Sequence, residues 1–427
     1  PSPTASTIPP ATLERLRTEF EYWYPMDLRV SGKDLIGNHL TMSLYNHAAI
    51  WADRPEMWPR GMYTNGFMMI NKQKMAKSTG NFLMLGEAVD EYSADGARFA
   101  LADAGDSLLD ANFERDVANQ ATLSVFGEEA FVAEMLALKK EGKLRQGECL
   151  DLETNVMKEM DRLISETDKH FTRMFWREGL NTGAWQYRIL RDFYRDWCFR
   201  MDVVMHEGLI LRWIETSALM LSPICPHYAE VVWKLLGREG FAAHADWPTL
   251  TGAVDGKASR CFNFLKNTTK TLRAAALKDT KKSGELSKAF IYIADTYSDW
   301  KVKTLEFMQT LWSETGGGGL PEKKDMLKAI TTGLLTDPEM KKKKKLVMQF
   351  AAFMADEARV IGFDALETEL PYNQKDVLEE SKVYLSKCII VGKTLEVTVY
   401  NLSEADVPGP DQKKDKAEPG KPTLFLS

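Results

Sequence analysis

Short apolar runs alternate with amphipathic stretches over the first part of the chain. MDLRVSG is typical of a strand that ends at Gly32, and KDLIGNHLTMSLYNHAAIW is typical of a helix that follows it. NGFMMI predicts a second strand, which ends just before the polar segment NKQKMAKSTGNF at residues 71–82. A strand, a helix and a strand with polar residues at the strand ends indicate a parallel α/β sheet. The region is short enough to hold only the last part of such a domain.

Helical periodicity dominates after this polar segment. Apolar residues recur at helical spacing in 153–176, 185–204 and 207–221, and YAEVVWKLLG predicts a fourth helix that ends at a glycine. Pro223 and Pro226 separate the last two helices, because proline interrupts the helical hydrogen bonds. Four amphipathic helices with short connections predict an antiparallel bundle.

The last part of the chain mixes both patterns. FNFLKNTTKTLRAAALK and WKVKTLEFMQTLW have the apolar spacing of helices, and a further helix follows a run of five lysines at 341–345. KAFIYIAD, TLEVTVYN and the terminal TLFLS are typical of strands, and ETGGGGLPEKK has the composition of a flexible connector. These elements predict a small α/β module.

The composition is that of an ordinary globular protein, with 44% hydrophobic and 27% charged residues among 427. Asp and Glu outnumber Lys and Arg by 61 to 55, which argues against a chain that is basic throughout but allows a local basic surface. The five cysteines are far apart, and we expect reduced core thiols of an intracellular protein without a structural zinc site. No apolar run has the ~18 residues of a membrane span. Because the first residue is Pro1, we expect a processed chain or a fragment of a longer protein.

The polar segment 71–82 carries the first candidate chemistry. Lys74 and Lys77 lie three positions apart, and Ser78, Thr79 and Gly80 follow them. Such residues are common in solvated turns, which is one interpretation. The other is a mobile loop that binds phosphate through paired cations. The lysine spacing alone is a weak signal, because lysine-rich turns produce it by chance.

A second polar cluster lies upstream, where Gly32, Asp34 and His39 occupy VSGKDLIGNHL. A glycine at a strand-to-helix turn lets the backbone approach a nucleotide, and a carboxylate beside it can accept hydrogen bonds from ribose hydroxyls. Downstream, YSADGARFALADAGDSLLDANF predicts a helix with an acidic start. These surroundings favour a nucleotide site over a plain turn.

A family resemblance rests on these same segments. KMAKSTGNF resembles the KMSKS signature of class I aminoacyl-tRNA synthetases, and YWYPMDLRVSGKDLIGNHLTMSLYNHAAIW with SADGARFALADAGDSLLDANF is similar to leucyl-tRNA synthetases of the eukaryotic cytosolic and archaeal type. The similarity continues through SPICPHYAEVVWKLLG and AFIYIADTYSDWKVKTL, and so covers most of residues 13–400. It implies activation of leucine with ATP to leucyl-adenylate and pyrophosphate, then transfer to tRNA(Leu), in the cytoplasm.

The resemblance also implies roles for the candidate residues. Positioned cations catalyse adenylyl transfer by stabilising the leaving pyrophosphate. The catalytic candidates are Lys74, Lys77 and Ser78. The candidates for ATP binding are Gly32, Asp34, His39, Met68, Met69, Met75 and Lys77. Mg²⁺ would accompany ATP as substrate, and we expect neither a tightly bound cofactor nor a metal held by the protein.

Two departures from the family pattern stand out. The middle serine of the signature is Ala76 here, which removes one hydroxyl and keeps both lysines, so we expect weaker adjustment of the loop and not loss of function. None of the six histidines begins an H-x-G-H arrangement, and the first half of the nucleotide fold and the editing domain of the family are missing. The resemblance therefore implies the C-terminal part of a synthetase, which should not aminoacylate alone.

The predicted fold class is multidomain, α/β plus α, and the resemblance divides the chain. The expected regions are a disordered start at 1–12, the C-terminal part of a Rossmann-like catalytic domain with the signature loop at 13–82, a connecting region that contacts the tRNA stem at 83–120, an antiparallel helical bundle of the anticodon-binding type at 121–250, a linker α/β segment at 251–320, and a C-terminal α/β module that contacts tRNA at 321–427.

Two other functions stay open. A class I ligase for isoleucine, valine or methionine would share the signature and the bundle, although DLRVSGKDLIGNHL favours leucine. A non-catalytic tRNA-binding or scaffold protein derived from a synthetase would account for the missing half. The expected partners are tRNA(Leu), with leucine and ATP in the intact enzyme. Components of a synthetase complex are further candidates, and no membrane partner is expected.

Several residues have a structural interpretation beside the functional one. The lysine run 341–345 is usual at a solvated helix start, but a tRNA partner makes phosphate contact an equal alternative. Arg98 either pairs with an acidic residue on its helix or lies near tRNA. The aromatic series that includes Tyr187, Tyr194 and Trp197 is expected to be bundle core and not a base-stacking platform.

Overall fold

The computed structural model describes residues 7–279, 286–316 and 318–427, and most of them are helical. They form two compact units. Unit 1 holds the described residues up to Glu153 together with 160–192 and 205–254, and unit 2 holds 154–159, 193–204 and the described residues from Asp255 onward. Within these ranges, no helix has both the length and the apolar composition that crossing a bilayer requires.

Unit 1 begins with two small sheets whose strands come from the predicted α/β region. Their strands are β1 (Arg29–Gly32), β2 (Met62–Asn65), β3 (Met68–Ile70), β4 (Gln73–Lys74) and β5 (Ala111–Phe113). Strand β1 pairs with β2 in parallel, and β3 pairs with β5 in parallel and with β4 antiparallel. The predicted parallel pairing is therefore confirmed, in sheets of two and three strands.

Four helices accompany these strands: α1 (Pro10–Trp23), α2 (Thr41–Ile50), α3 (Leu85–Tyr92) and α4 (Ala94–Ala104). Helix α1 begins inside the start that was predicted to be disordered, while residues 1–6 of that prediction lie outside the described residues. Proline favours the first helical position, which explains a start at Pro10.

The single helix predicted after Gly32 is in fact three segments. Residues Lys33–Leu35 form a 3₁₀ turn, Ile36–Leu40 form a π-helical turn, and only then does α2 begin. The Thr41 hydroxyl donates to the Ile36 carbonyl at 2.5 Å, five residues earlier, which matches the wide spacing of a π turn. His39 therefore lies in the π turn and not on a regular helix.

The region that follows, from residue 115 to 235, is helical and contains no strand, and all of it except 154–159 and 193–204 belongs to unit 1. Its helices are α5 (Arg115–Lys140), α6 (Asp151–Thr172), α7 (Trp176–Leu180), α8 (Tyr187–Met201), α9 (Glu207–Leu221) and α10 (Pro226–Leu235). The four predicted helices correspond to α6, α8, α9 and α10. Helix α5 begins before the predicted boundary at 120, and small buried residues such as Ala118 and Ala121 let it pack closely. Tyr187 and Tyr194 are fully buried, which confirms the predicted aromatic core at these two positions, whereas Trp197 is half-buried.

Helix α4 is fastened to the connection between α9 and α10. The buried Asp95 carboxylate accepts the backbone N–H groups of His227 and Tyr228 at 3.3 and 2.6 Å, which lie in the first turn of α10. One turn later, Arg98 donates to the carbonyls of Pro223 and Ile224, both at 2.8 Å. Arg98 thus binds backbone carbonyls, and the predicted pairing with an acid on its own helix is not formed.

Unit 2 is built around a three-stranded sheet. Its elements are α11 (Gly256–Asp279), β6 (Lys288–Ile293), α12 (Asp299–Glu314), α13 (Lys323–Thr332), α14 (Pro338–Lys342), α15 (Lys344–Ile361), α16 (Gln374–Glu380), α17 (Lys382–Cys388), β7 (Glu396–Asn401), α18 (Asp411–Lys414) and β8 (Thr423–Leu426). Strand β6 lies in the centre, parallel to β7 and antiparallel to β8.

This sheet joins two regions that the sequence analysis had separated at residue 320. Strand β6 belongs to the predicted linker segment, while both of its partners belong to the predicted C-terminal module. A sequence pattern shows that a segment is a strand but not which distant strand it pairs with, and this is why the boundary was misplaced. Gly317, in the predicted connector between α12 and α13, lies outside the described residues.

Candidate functional site

The first signature lysine is held by a tight hairpin. Strands β3 and β4 are joined by Asn71 and Lys72, whose φ angles of 49° and 66° are those of a two-residue type I′ turn. In this hairpin Lys74 pairs with Met69, so it lies on a strand and not in a free loop. Lys77 follows at the start of a 3₁₀ turn, Lys77–Thr79. The backbone of Lys74 is therefore held by strand pairing, whereas that of Lys77 is held only within a short turn.

Asn81 closes the loop that follows the hairpin. Its side-chain amide donates to the carbonyls of Ile70, Gln73 and Lys74 at 3.4, 3.2 and 3.2 Å. Its own carbonyl accepts the N–H of Ala76 at 2.9 Å. Sequence reasoning missed Asn81, although an asparagine next to the signature glycine is a signal for such side-chain bonds to backbone.

Ala76 contributes to the loop through its backbone. Besides donating to Asn81, it accepts the Thr79 hydroxyl at 3.0 Å, and its side chain is half-buried. Gly80 then takes a φ of 72°, where glycine is favoured. These bonds do not involve the side chain at position 76, so a small residue suffices to form this loop. The expected weaker adjustment of the loop stays a prediction.

Lys33 and Lys74 meet over the ring of Phe67. Their ammonium nitrogens lie 4.9 and 5.3 Å from the ring centroid, within the range of cation–π attraction. Lys33 also donates to Asp110 at 2.6 Å, and Asp110 accepts the N–H of Phe67 at 3.0 Å. The bond from Lys33 and then that from Phe67 hold the pKa of the Asp110 carboxyl below its usual range. We call Lys33, Phe67, Lys74 and Asp110 the Phe67 cluster.

Sequence reasoning missed three members of this cluster. Lys33 directly follows the strand-ending glycine, and Asp110 lies in the segment SLLDANF that supported the family resemblance, so both had a positional signal. Phe67 had none beyond its place in an apolar run. The Phe67 cluster places Lys74 beside the turn that begins at Gly32, a proximity that the sequence alone did not reveal.

A close backbone approach positions Asp110. A Cβ on Gly66 would lie 2.1 Å from the Leu109 carbonyl oxygen, so only glycine fits there. The N–H of Gly66 donates to the carbonyl of Ser107 at 3.1 Å. Beside this contact lies a cleft of about 260 Å³. It is lined by Ala104, Gly105, Asp106, Ser107, Leu109, Asp110, Arg177 and Glu178.

The predicted nucleotide turn is present at the end of β1. A Cβ on Gly32 would lie 2.6 Å from Asp34 Oδ1, so the glycine leaves room for this carboxylate to fold back over the strand end. His39 is exposed, and Arg29 Nη2 lies 3.4 Å from its Nε2. Gly32, Asp34 and His39 thus lie on one turn.

The other predicted site residues occupy the hairpin and its loop. Met68 and Met69 are half-buried on β3, and Met75 is exposed directly after β4. Lys77 and Ser78 are exposed on the 3₁₀ turn. The structure therefore joins Lys74 to the Phe67 cluster and leaves Lys77 and Ser78 facing solvent.

The lysine loop has the electrostatic character of an anion site. Among the described residues, no carboxylate forms an ion pair with Lys74 or Lys77, whereas Lys33 is paired with Asp110. In the same described ranges, no group of three or more His, Cys, Asp and Glu side chains could hold a metal ion. Cations without a partner near a strand end can bind phosphate groups and stabilise charge that develops on them.

Three family models match consecutive parts of the chain. Residues 10–124 match tRNA synthetases class I (M), and residues 153–291 match the anticodon-binding domain of tRNA ligase. Residues 293–371 match the leucine–tRNA ligase RagD-binding domain. The first match contains the Phe67 cluster and the lysine loop.

Curated relatives extend the similarity to nearly the whole chain. A cytoplasmic leucine–tRNA ligase of Pongo abelii is 37% identical over 96% of this chain and 34% of its own length. The corresponding protein of Arabidopsis thaliana is 34% identical over 100% of this chain and 40% of its own length. A leucine–tRNA ligase of Aeropyrum pernix is 38% identical over 57% of this chain and 24% of its own length.

A solved structure shows a more distant likeness. The ternary complex of an Agrobacterium radiobacter LeuRS with tRNA and LeuAMS matches 63% of this chain and 31% of that chain, at 15% identity and a TM-score of 0.44. A likeness of this size carries no argument here. The chain spans roughly a third of the length of the Pongo abelii relative. The matches in sequence show that the chain belongs to the leucyl-tRNA synthetase family.

Proposed function

We propose that this chain is part of a leucine–tRNA ligase, which activates leucine with ATP and attaches it to tRNA(Leu) for translation in the cytoplasm. The observation that carries the proposal is the hairpin that holds Lys74 over Phe67 beside Lys33, at the turn after Gly32. Lys77 lies on the exposed turn that follows, and neither Lys74 nor Lys77 has a carboxylate partner among the described residues. The named relatives support leucine as the substrate, in preference to isoleucine, valine or methionine.

The first step suits these lysines. The leucine carboxylate attacks the α-phosphorus of ATP, the bond to the bridging oxygen breaks, and pyrophosphate leaves with the developing negative charge. Lys74 and Lys77 would stabilise that charge, and Ser78 would donate a hydrogen bond to it. Because Lys74 is held on β4 and Lys77 lies on an exposed turn before Gly80, we expect Lys77 to be the more mobile of the two.

The turn after β1 would hold the nucleoside part of ATP. Asp34, folded back over Gly32, can accept hydrogen bonds from ribose hydroxyls, and His39 lies on the same turn. The half-buried β3 would line the adenine, and Met75 would complete the site. The residues in these last roles are Met68, Met69 and Met75. Mg²⁺ would enter with ATP, bound through the phosphates.

We further propose that the chain alone does not aminoacylate. The relatives are more than twice as long, and the HIGH-type histidines of class I enzymes would come from polypeptide outside this sequence. Large apolar side chains on α1 and α2 support a covering segment, since Trp23 is 74% exposed and Ile50 is 70% exposed.

The proposal extends to the division of the chain into regions. We propose that 13–82 completes the Rossmann-like catalytic domain, that 83–120 lies near the tRNA stem, and that 121–250 is the anticodon-binding bundle. The C-terminal module from 321 onward, together with the segment before it, would contact tRNA. The Asp95 and Arg98 bonds to the α9–α10 connection support a fixed geometry between the second and the third of these regions.

The first experiment measures leucine-dependent ATP–pyrophosphate exchange by this chain, beside retention of tRNA(Leu) on a filter at low salt. We expect no exchange and clear retention. Exchange that disappears in Lys77→Ala would contradict the incomplete site. Absence of both exchange and retention would contradict the proposed function.

A second experiment tests the lysines in a complete enzyme. The chain replaces the matching segment of the full-length Arabidopsis relative, and exchange is compared between Lys77→Ala and Lys72→Ala. We expect Lys77→Ala to lower the rate on the order of 10²–10³-fold, as for loss of a well-placed stabilising group. Lys72, which is exposed in the hairpin turn 4.0 Å from Glu114, is the matched control and should change the rate little. Equal effects of the two substitutions would remove Lys77 from the mechanism.

A protein-docking role is a second candidate function. It is favoured by the match of 293–371 to a domain described as RagD-binding. We propose that this region of unit 2 binds a protein of that class, as a scaffold or as part of a synthetase complex. Direct titration of purified RagD with the chain tests it, and no binding at micromolar concentrations would contradict it.

A further inference from the structure

The lysine run 341–345 has no role in the activation chemistry, and its geometry is that of a polyanion site. We propose that this segment, which we call the lysine tip, binds the phosphate backbone of RNA. The inference rests on the proposed function, because tRNA is the RNA that a leucine–tRNA ligase meets.

The lysine tip is fixed in position by the helices that carry it. Helix α14 ends at Lys342 and α15 begins at Lys344, so only Lys343 separates them. Met340 and Val347 flank the tip, and both are buried in the core of unit 2. These anchors hold the backbone on both sides, and the lysine side chains between them face solvent.

The charge of the lysine tip is mostly uncompensated. Lys342 pairs with Glu339 at 2.6 Å, and Lys343 lies 6.0 Å from the ring centroid of Trp300. Within the described residues, Lys341, Lys344 and Lys345 form no ion pair, and all three are exposed.

Several other lysines of the same unit do have carboxylate partners. The pairs include Lys303–Asp337 at 3.1 Å, Lys323–Asp356 at 2.9 Å and Lys375–Glu404 at 2.5 Å. The tip differs from these positions because three lysines without an ion pair among the described residues lie within five consecutive residues.

The start of helix α15, which lies within the lysine tip, also favours a bound anion. Lys344 and Lys345 lie in the first turn of α15, where the helix dipole is positive and where cations are unfavourable. No side chain caps this end of the helix, and the N–H groups of the first turn lack partners within the helix. A bound phosphate would meet both the lysines and these N–H groups, which turns an unfavourable arrangement into a favourable one.

RNA fits this surface better than a membrane does. Membrane-binding basic segments insert apolar side chains beside their lysines, but of the tip's apolar neighbours Met340 and Val347 are buried and only Leu346 is exposed. A backbone of regularly spaced phosphates matches cations spread over two helix ends. The match to the anticodon-binding domain also ends at residue 291, so α11 and part of β6 in unit 2 belong to a tRNA-ligase module.

The test measures how binding of tRNA(Leu) by the whole chain depends on salt. The variant is Lys341→Gln, Lys344→Gln and Lys345→Gln together, which keeps helix-forming residues and leaves Lys342 and Lys343 in their contacts. The control is Lys257→Gln, Lys278→Gln and Lys393→Gln, which removes the same charge from exposed positions elsewhere in unit 2. Affinities are measured between about 0.05 and 0.3 M KCl.

We expect the tip variant to bind on the order of 10²-fold more weakly at 0.1 M salt. The slope of log K against log salt should fall by about 2–3, since each phosphate contact contributes roughly 0.7–0.9. The loss should be equal for tRNA(Leu) and for a tRNA of another amino acid, because phosphate contacts carry no sequence information. The control should keep most of the affinity and the slope.

Other outcomes overturn the proposal in distinguishable ways. Unchanged affinity and slope in the tip variant, with tRNA still bound, would refute the lysine tip and leave the proposed function standing. No binding of tRNA by the unsubstituted chain would refute both. Binding of phosphatidylserine vesicles or of purified RagD that the tip variant alone loses, with tRNA binding intact, would assign the tip to that partner instead.

Discussion

Lys33 and Lys74 lie over the same aromatic ring, yet only Lys33 has a carboxylate partner. This difference decides what each can do. Asp110 neutralises Lys33 and accepts the N–H of Phe67, so this pair fixes the geometry of the cluster. Lys74 keeps its charge available for a ligand.

The ion pair of Asp110 with Lys33 should make the stability of the chain depend on pH. The pKa of Asp110 is lowered in the folded protein, so its contribution to stability is present above the ordinary carboxyl pKa of about 4 and is lost as pH falls through the lowered value. Asp110→Asn removes this contribution. We expect its urea midpoint to lie below that of the unsubstituted chain at pH 7, and the two midpoints to converge below about pH 4.

Asp27→Asn is a suitable control for that comparison. Like Asp110, Asp27 forms an ion pair, in its case with Arg60 at 2.8 Å. Both of these side chains are largely exposed, so the pair should contribute little to stability. A difference at pH 7 that persists unchanged at pH 3 would contradict the role given to the Asp110 carboxylate.

Much of the candidate site was predictable at the residue scale. Lys74, Lys77 and the Gly32 turn were found from residue type and family pattern, and the structure has them on a hairpin and at a strand end. Asp110 and Phe67 were missed because their roles depend on contacts with Lys33 and with each other, between segments more than 30 residues apart. Such contacts follow from the folded backbone, and no local pattern specifies them.

At the scale of elements, α4 completes the ends of two other helices. Asp95 satisfies N–H groups at the start of α10, and Arg98 satisfies carbonyls just after the end of α9. Each charge has the sign that the neighbouring helix dipole favours. One face of a short helix therefore fixes how two bundle helices are joined.

Removing the Asp95 carboxylate should destabilise unit 1. We expect Asp95→Ala to lower the free energy of unfolding by about 1–3 kcal/mol, because two helix N–H groups lose their acceptor and that of Tyr228 is buried. Asp95→Asn keeps one acceptor oxygen, so its free energy of unfolding should lie between those of Asp95→Ala and the unsubstituted chain. Urea unfolding followed by tryptophan fluorescence measures both.

Asp103→Ala provides the comparison on the same helix. Asp103 accepts only a long bond of 3.4 Å from Trp185, so its loss should have a smaller effect. If Asp95→Ala and Asp103→Ala were equally mild, the capping of α10 by Asp95 would not contribute to stability.

Elements were predictable where their periodicity was strong. Helices α6, α8, α9 and α10 and strands β6, β7 and β8 follow the apolar spacing closely. The 3₁₀ and π turns after Gly32 were not predictable from the apolar spacing. The side-chain bond from Thr41 to Ile36 accompanies a π turn in place of an α-helical one, and it leaves the apolar pattern unchanged. Helix α5 was underestimated since its buried positions include alanines, which give a weak hydrophobic signal.

At the scale of the whole molecule, the chain divides into two units that each bury cysteines. Cys225 is buried in unit 1, and Cys198 and Cys388 are buried in unit 2, while Cys149 and Cys261 are partly exposed. Burial raises the pKa of Cys388 to about 11 and also raises that of Cys225, so neither is a reactive thiolate in the folded chain. Each buried thiol can report when its own unit opens.

We expect this protection to be lost separately in the two units. In a variant with Cys149→Ser and Cys261→Ser, a thiol reagent applied over a urea series should label Cys225 at a different midpoint from Cys198 and Cys388, since separate units seldom unfold as one. Peptide mapping identifies the labelled residue. A single shared midpoint would show that the units unfold together, and fast labelling without urea would contradict their burial.

The bonds of Asp95 and Arg98 have a consequence for how this fold can change over evolution. Both side chains bind main-chain atoms of residues 223–228, and every residue type supplies a carbonyl group. The side chains at those partner positions are therefore not constrained by this contact. Correlated substitutions, which reveal many side-chain contacts across families, should be silent here even where the contact is retained in every member.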